Sequence, residues 1–318
     1  MRDARPSSGL AGKASMSVVE LPSGMSGDIR KIKGTEIAVL AEQTEGVGGS
    51  ADGGFTALLN GCWQRTLDKG PYPFVAVGDT KPDWKRLLKG DVLFGVVELR
   101  RISLSDGDTF DFDAQCEECK AKIPWSVKLS ELTVRKLPRA SAEALSEGRP
   151  FVVEIAKDGA THKATFNLQT LGQEEPIARL MKQQKRTAAT VVDVLCSQIV
   201  SIAGVNPDIK ARYRFLSELS MGELFDLRAA LDEHDCGIDT AIEIRCQNKN
   251  CLWEQEINLP LLGRRFFSQK KRLTKKAVDD SEQDDSSSTS SEGSTSPGGE
   301  SAATPSGGTS TEAPATAG

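Results

Sequence analysis

Two stretches, FDFDAQCEECKAKIPWSVKL at residues 110–129 and AIEIRCQNKNCLWEQEINL at residues 241–259, decide how this chain is read. Each is an alternating strand that runs into a cysteine pair, Cys116 and Cys119 in the first and Cys246 and Cys251 in the second. In each, a tryptophan and a second alternating strand follow within a few residues. Alternation of apolar and polar side chains is the pattern of a half-buried strand, so the two stretches are one supersecondary unit used twice. Thiolates two to four residues apart at a hairpin tip can hold one side of a tetrahedral zinc ion, and a second knuckle supplies the other two sulfurs. Cys116, Cys119, Cys246 and Cys251 are therefore the candidate ligands of one zinc-ribbon-like site. Four thiolates leave no open position on the metal, which makes the expected site structural. Two other readings stay open: thiols packed at paired hairpin tips, and a redox pair at Cys116 and Cys119. A thioredoxin-type pair opens a helix after a strand, whereas this one lies between strands.

Outward from these hairpins the expected fold class is α+β, with small antiparallel hairpins, an inserted helical region and a disordered C-terminal tail. The expected divisions are a leader at 1–17, an α+β part with the first knuckle at 18–133, an inserted hairpin and helical region at 134–237, the second knuckle at 238–268 and a tail at 269–318. Val18–Leu21 reads as a strand, TEIAVLAEQ from Thr35 as a helix, and GVGGSADGG as a loop. FTALLNGCWQRT places Phe55, Leu58, Leu59, Cys62 and Trp63 at helical spacing. Asp83 opens a short helix with Gly90 as C-cap. DVLFGVVELRRISL, apolar on both alternating faces, reads as a strand buried on both sides. It would form a meander with the strands TFDFDAQ and WSVKLSEL.

PFVVEIA and HKATFNLQ flank the turn residues Lys157–Gly159 and predict a hairpin. Pro176 opens a helix in IARLMKQQK, while TVVDVLCSQIVSIAGV fits helix and strand equally. SMGELFDLRAALDEHDCG carries a capping box, Ser220 with Glu223 three residues on, and Gly237 as its end.

The chain has 318 residues, 38% hydrophobic and 27% charged. The apolar deficit lies at the end: from Ser281 onward there is no Leu, Ile, Val, Phe or Trp, so ordering entropy has nothing to offset it. Residues 277–318 hold eight of the 45 acidic side chains and no Lys or Arg. The remainder is slightly basic, which is far from the clustered positive charge of a dedicated nucleic-acid binder. The knuckle flanks carry Glu117, Glu118, Glu254 and Glu256, which argues against the alternative of a zinc-ribbon nucleic-acid or transcription-associated protein. No apolar run reaches membrane-spanning length, and the N-terminus lacks the apolar region of a secretory signal. A reducing, intracellular setting is the default, and there cysteines serve as metal ligands or buried thiols rather than disulfides.

Other chemistry is thin. His162 and His234 read as ordinary surface or helix-end residues. Cys62, Cys196 and Cys236 read as small buried hydrophobes. Trp125 and Trp253 are expected beneath the knuckles, Trp63 on its helix and Trp84 at a helix start. No nucleophile elbow, P-loop, dinucleotide fingerprint or His-Glu-x-x-His motif occurs, so an enzyme and a small-molecule substrate are not expected.

The order LPSGMSGDIRKIKGTEIAVLAEQ, LLNGCWQRTLDKGPY, LLKGDVLFGVVELRRISLSDG, Cys-x-x-Cys, a helical insertion and DCGIDTAIEIRC with its closing knuckle resembles the T4-like bacteriophage base plate protein family. The likeness covers roughly residues 18 to 268. It implies a non-enzymatic assembly factor that holds hub or tail components of a contractile-tailed phage in the host cytoplasm while the baseplate forms. By the same likeness Cys116, Cys119, Cys246 and Cys251 carry the metal or knuckle role. The basic segment from Arg264 to Lys276 and the helical region are the surfaces expected to face a partner.

Overall fold

Apolar alternation becomes short antiparallel strands in the computed structural model, which describes residues 16–45, 51–173, 189–261 and the separate residues 179, 181, 186, 266 and 267. The fold is α+β, with seven helices and five small sheets among the described residues. Strands β1 (Met16–Glu20), β2 (Ser26–Arg30) and β3 (Trp63–Asp68) form the first sheet in that order. Helices α1 (Gly34–Glu45) and α2 (Ala51–Cys62) lie between β2 and β3. Helix α3 (Lys89–Ser103) leads to the hairpin of β4 (Thr109–Gln115) and β5 (Lys122–Lys128). Next come β6 (Val134–Arg135), α4 (Arg139–Glu147), and the hairpin of β7 (Phe151–Lys157) and β8 (Ala160–Phe166). Helix α5 (Val191–Gln198) runs straight into β9 (Ile199–Ile202), which pairs with β8. Helices α6 (Ile209–Ser217) and α7 (Met221–Asp232) precede β10 (Gly237–Ile238), which pairs with β6. The last hairpin is β11 (Ala241–Arg245) with β12 (Glu254–Asn258).

The ambiguous stretch around Cys196 is thus both helix and strand. Its helix starts with a capping box, Thr190 with Asp193, and α7 has the expected one of Ser220 with Glu223. Each box satisfies amide groups that the first helical turn leaves unpaired.

The segment read as a doubly buried strand, DVLFGVVELRRISL, is α3 instead. Leu88, Val92, Val96 and Leu99 recur at spacings of four, four and three and are at most 1% exposed. That is the helical period. Its β-branched residues cost little helix propensity beside the burial they gain against α2, β1, β2 and β10. The expected meander is therefore a single hairpin, β4 with β5, followed by a 3-10 turn at Leu129–Glu131.

Gly90 is not a C-cap; it lies in the first turn of α3, where a Cβ would collide with the Cys236 carbonyl oxygen. Gly237, at φ +144°, completes this close approach and stands beyond the helix end at Asp232. The short helix before it is one 3-10 turn, Trp84–Arg86, capped by Asp83. The expected helix over FTALLNGCWQRT stops at Cys62, and Trp63 opens β3; it begins earlier than expected, because Ala51–Gly54 of the Gly-rich stretch are helical. The helix expected at Pro176, most of the leader and the tail at 269–318 lie outside the described residues.

Most buried side chains form one core. Trp63 and Trp84 meet edge to face at 5.1 Å, and the Trp63 indole N–H donates to Thr66 Oγ1 at 3.1 Å. Within this core the fully buried Asp91, in the first turn of α3, ties three other segments together. Its carboxylate accepts the Ser23 backbone N–H at 3.0 Å, the Tyr72 hydroxyl at 2.6 Å and the Cys236 thiol at 3.8 Å. Burial still pushes its pKa above the usual carboxylate range.

Candidate metal centre

The two cysteine hairpins, far apart in the chain, meet tip to tip. Cys116 Sγ lies 3.7 Å from Cys251 Sγ, and Cys119 Sγ lies 3.6 Å from Cys246 Sγ, a pair 127 positions apart. All four sulfurs fall within 4.8 Å of one another. A tetrahedron with metal–sulfur arms of ~2.3 Å has edges of ~3.8 Å, so the two close pairs match edges of such a site. The four cysteines are free thiols, and the set can bind a metal ion. All four candidate ligands read from the sequence are brought together.

Each knuckle is shaped by its own backbone. In the first, the Cys116 N–H donates to the Ala121 carbonyl at 2.9 Å and the Lys120 N–H to the Cys116 carbonyl at 3.1 Å. In the second, the Cys246 N–H donates to the Trp253 carbonyl at 2.8 Å and the Leu252 N–H to the Asn248 carbonyl at 3.1 Å. Lys120 and Leu252, each just after the second cysteine of its pair, have φ values of +61° and +52°. The longer Cys-x4-Cys spacing is absorbed at Asn248. Its side-chain oxygen accepts the Asn250 N–H at 3.1 Å in a local turn, and its amide N–H donates to Cys119 Sγ at 3.8 Å. From Asn248 to Leu252 the second knuckle thus repeats the turn from Cys116 to Lys120.

Charge on the sulfurs is shared. The Ala121 backbone N–H, aided by the neighbouring thiols, brings Cys119 down to about 7. At Cys246 the Asn248 N–H favours the anion, yet burial and the other sulfurs hold the pKa at about 12. One thiolate therefore opposes the next, and a bound cation is what allows all four to ionise.

Beneath the tips, Cys116, Ile123, Ile244 and Cys246 form a small core of their own, with Trp125 and Ile257 against it. Trp125 is placed as expected, but Trp253 is not: it is 47% exposed beside Leu252 at 49%. It follows the left-handed Leu252 and lies just outside β12, which begins at Glu254. Gln255 is a residue the sequence reading passed over. It is buried and bonds across to the first hairpin. A polar residue at an inward position of an alternating strand was the available signal.

The remaining candidates stay apart from this site. Cys62, Cys196 and Cys236 are buried, and burial raises each thiol's pKa, for Cys62 to about 11. His162 packs edge-on to Phe215 at 5.0 Å, and His234 sits against Phe151 and Phe166 beyond the end of α7. Among the described residues no helix is long and apolar enough to cross a membrane. The chain matches no protein-family model, no curated protein and no solved structure.

Proposed function

We propose that this chain is a non-enzymatic assembly protein of a contractile-tailed phage baseplate, with a structural zinc ion held by Cys116, Cys119, Cys246 and Cys251. The observation that carries the metal part is the convergence of the four sulfurs within 4.8 Å. A set of four thiols suits zinc among the common divalent ions and leaves no position for substrate. The assembly part rests on the order of sequence motifs that resembles the base plate family. A surface feature supports it. Along α7, Leu224, Leu227 and Leu231 are buried, while Met221 and Phe225, on the flank beside that stripe, are 60% and 56% exposed. An exposed apolar pair beside a buried stripe suits contact with another protein. The partners are hub or tail proteins, met in the bacterial cytoplasm before the baseplate closes.

The test has two parts. Protein purified without chelator is expected to hold about one zinc per chain. Mixed with separately produced hub components, it is expected to elute as a complex that Phe225→Asp weakens. Absence of metal overturns the first part, and failure to associate with any hub component overturns the second.

A further inference from the structure

The inward row of the second hairpin runs Ile242, Ile244, Gln255 and Ile257, and Gln255 is only 8% exposed. A buried amide is costly unless both of its ends are bonded. Here both are bonded to the other hairpin. Its Nε2 donates to the Gln115 carbonyl at 3.0 Å, and its Oε1 accepts the Glu117 backbone N–H at 2.8 Å. Gln115 and Glu117 flank Cys116, the sulfur ligand with no exposed surface. One side chain of β12 thus holds the backbone on both sides of a thiol that belongs to the opposite knuckle. Gln247 adds a single bond, Nε2 to the Pro124 carbonyl at 3.2 Å, but on the exposed side.

We infer that Gln255 is a positioning residue for the metal: it docks Cys116 against the second knuckle before an ion arrives, and so sets how tightly the ion is held. This rests on reading the four thiols as a metal site. Without such a staple the ion itself would have to close the long stretch of chain between the knuckles, at an entropic cost. With it, the ion enters a formed site, and partners that orient ligands from outside the coordination sphere contribute to affinity. Glutamine suits the role because one planar amide offers the donor and the acceptor that the two backbone groups need.

The experiment uses the full chain, with cobalt(II) alone as probe, in the wild type, Gln255→Met and Gln247→Met. Methionine keeps the length and bulk of the side chain and removes both bonds. The wild type is expected to give the absorption bands of tetrahedral thiolate cobalt. Gln255→Met should keep those bands while binding about 10–100-fold more weakly. Gln247→Met should stay within about twofold of wild type. In the metal-free wild type the Glu117 amide is expected to resist hydrogen exchange, and in metal-free Gln255→Met to lose that protection.

A wild type without cobalt bands overturns the metal reading itself. Bands with unchanged affinity in Gln255→Met overturn this inference, and equal losses of thermal stability with and without cobalt would then mark a structural role only. Rapid exchange of Glu117 in the metal-free wild type also overturns it, whether or not the variant folds.

Discussion

Two junctions join distant parts of this chain, one around Asp91 and one around the four thiols, and they are built on opposite terms. Asp91 meets partners 68, 19 and 145 positions away, deep in the main core, and its oxygens are satisfied by protein donors. The thiols meet across 127 and 135 positions, but over a core of only Cys116, Ile123, Ile244 and Cys246 with a few half-buried neighbours. Two-stranded hairpins are marginal alone. The first junction is complete as it stands; the second is a group of four sulfurs within 4.8 Å of one another that could bind a cation.

The largest effect expected is at Asp91. Asp91→Ala leaves the Ser23 amide and Tyr72 hydroxyl buried without an acceptor, and should lower stability by about 3–5 kcal/mol in urea unfolding. A loss below about 1 kcal/mol would break the contrast, because the carboxylate would then not be the tie.

Next is the metal. Cys246→Ser should abolish stoichiometric zinc, and with it the stability gained on adding metal. That gain should be about 2.7 kcal/mol in the wild type when free metal is a hundredfold above Kd. Unfolding curves with and without zinc check this, and superimposed wild-type curves would place the thiol junction in the same class as Asp91.

A smaller effect is expected from pH. Burial holds the Asp235 carboxyl at about 6, with Asp232 and Asp91 adding to the rise and Arg135 opposing it. The folded chain then binds more protons than the unfolded one between about pH 4 and 6, so this group's contribution is fully present below pH 4 and is lost as pH rises through 6. Asp235→Asn should remove that slope and raise stability at pH 7 by about 1–2 kcal/mol. An unchanged slope would show that Asp235 is not its source.

The smallest effect is in the second hairpin, where Glu243 and Glu256 stand directly opposite each other. Like charges in register oppose pairing, and Glu243→Lys should raise the melting temperature through about 0.2–1 kcal/mol. No rise would mean that water already screens the pair.

How much was legible in the sequence follows from what each signal measures. Alternation over six or seven residues, as in Phe110–Gln115 or Phe151–Lys157, states which side is inward wherever one side meets water, and those strands lie where the pattern puts them. The capping box of Ser220 and Glu223 is local chemistry and stands as read. The segment of α3 was misread because its apolar residues occupy both parities, and a segment buried on most sides offers no contrast to count. Of the candidate metal centre, the four thiols were legible; Gln255 showed only as a polar residue on an inward row, and its bonds did not, since its partners are backbone groups 138 and 140 positions away.

The sequence by itself determined the pieces whose cause is short-range: the two knuckle hairpins, the capped helices and the apolar-poor tail composition. Periodicity, caps and turn chemistry act within a few residues. Only the tertiary structure decided that DVLFGVVELRRISL is a helix, that Trp253 faces outward, and that Gln255 brackets Cys116. Each depends on which surfaces enclose a segment, and enclosure comes from residues that are neighbours only after the chain has folded.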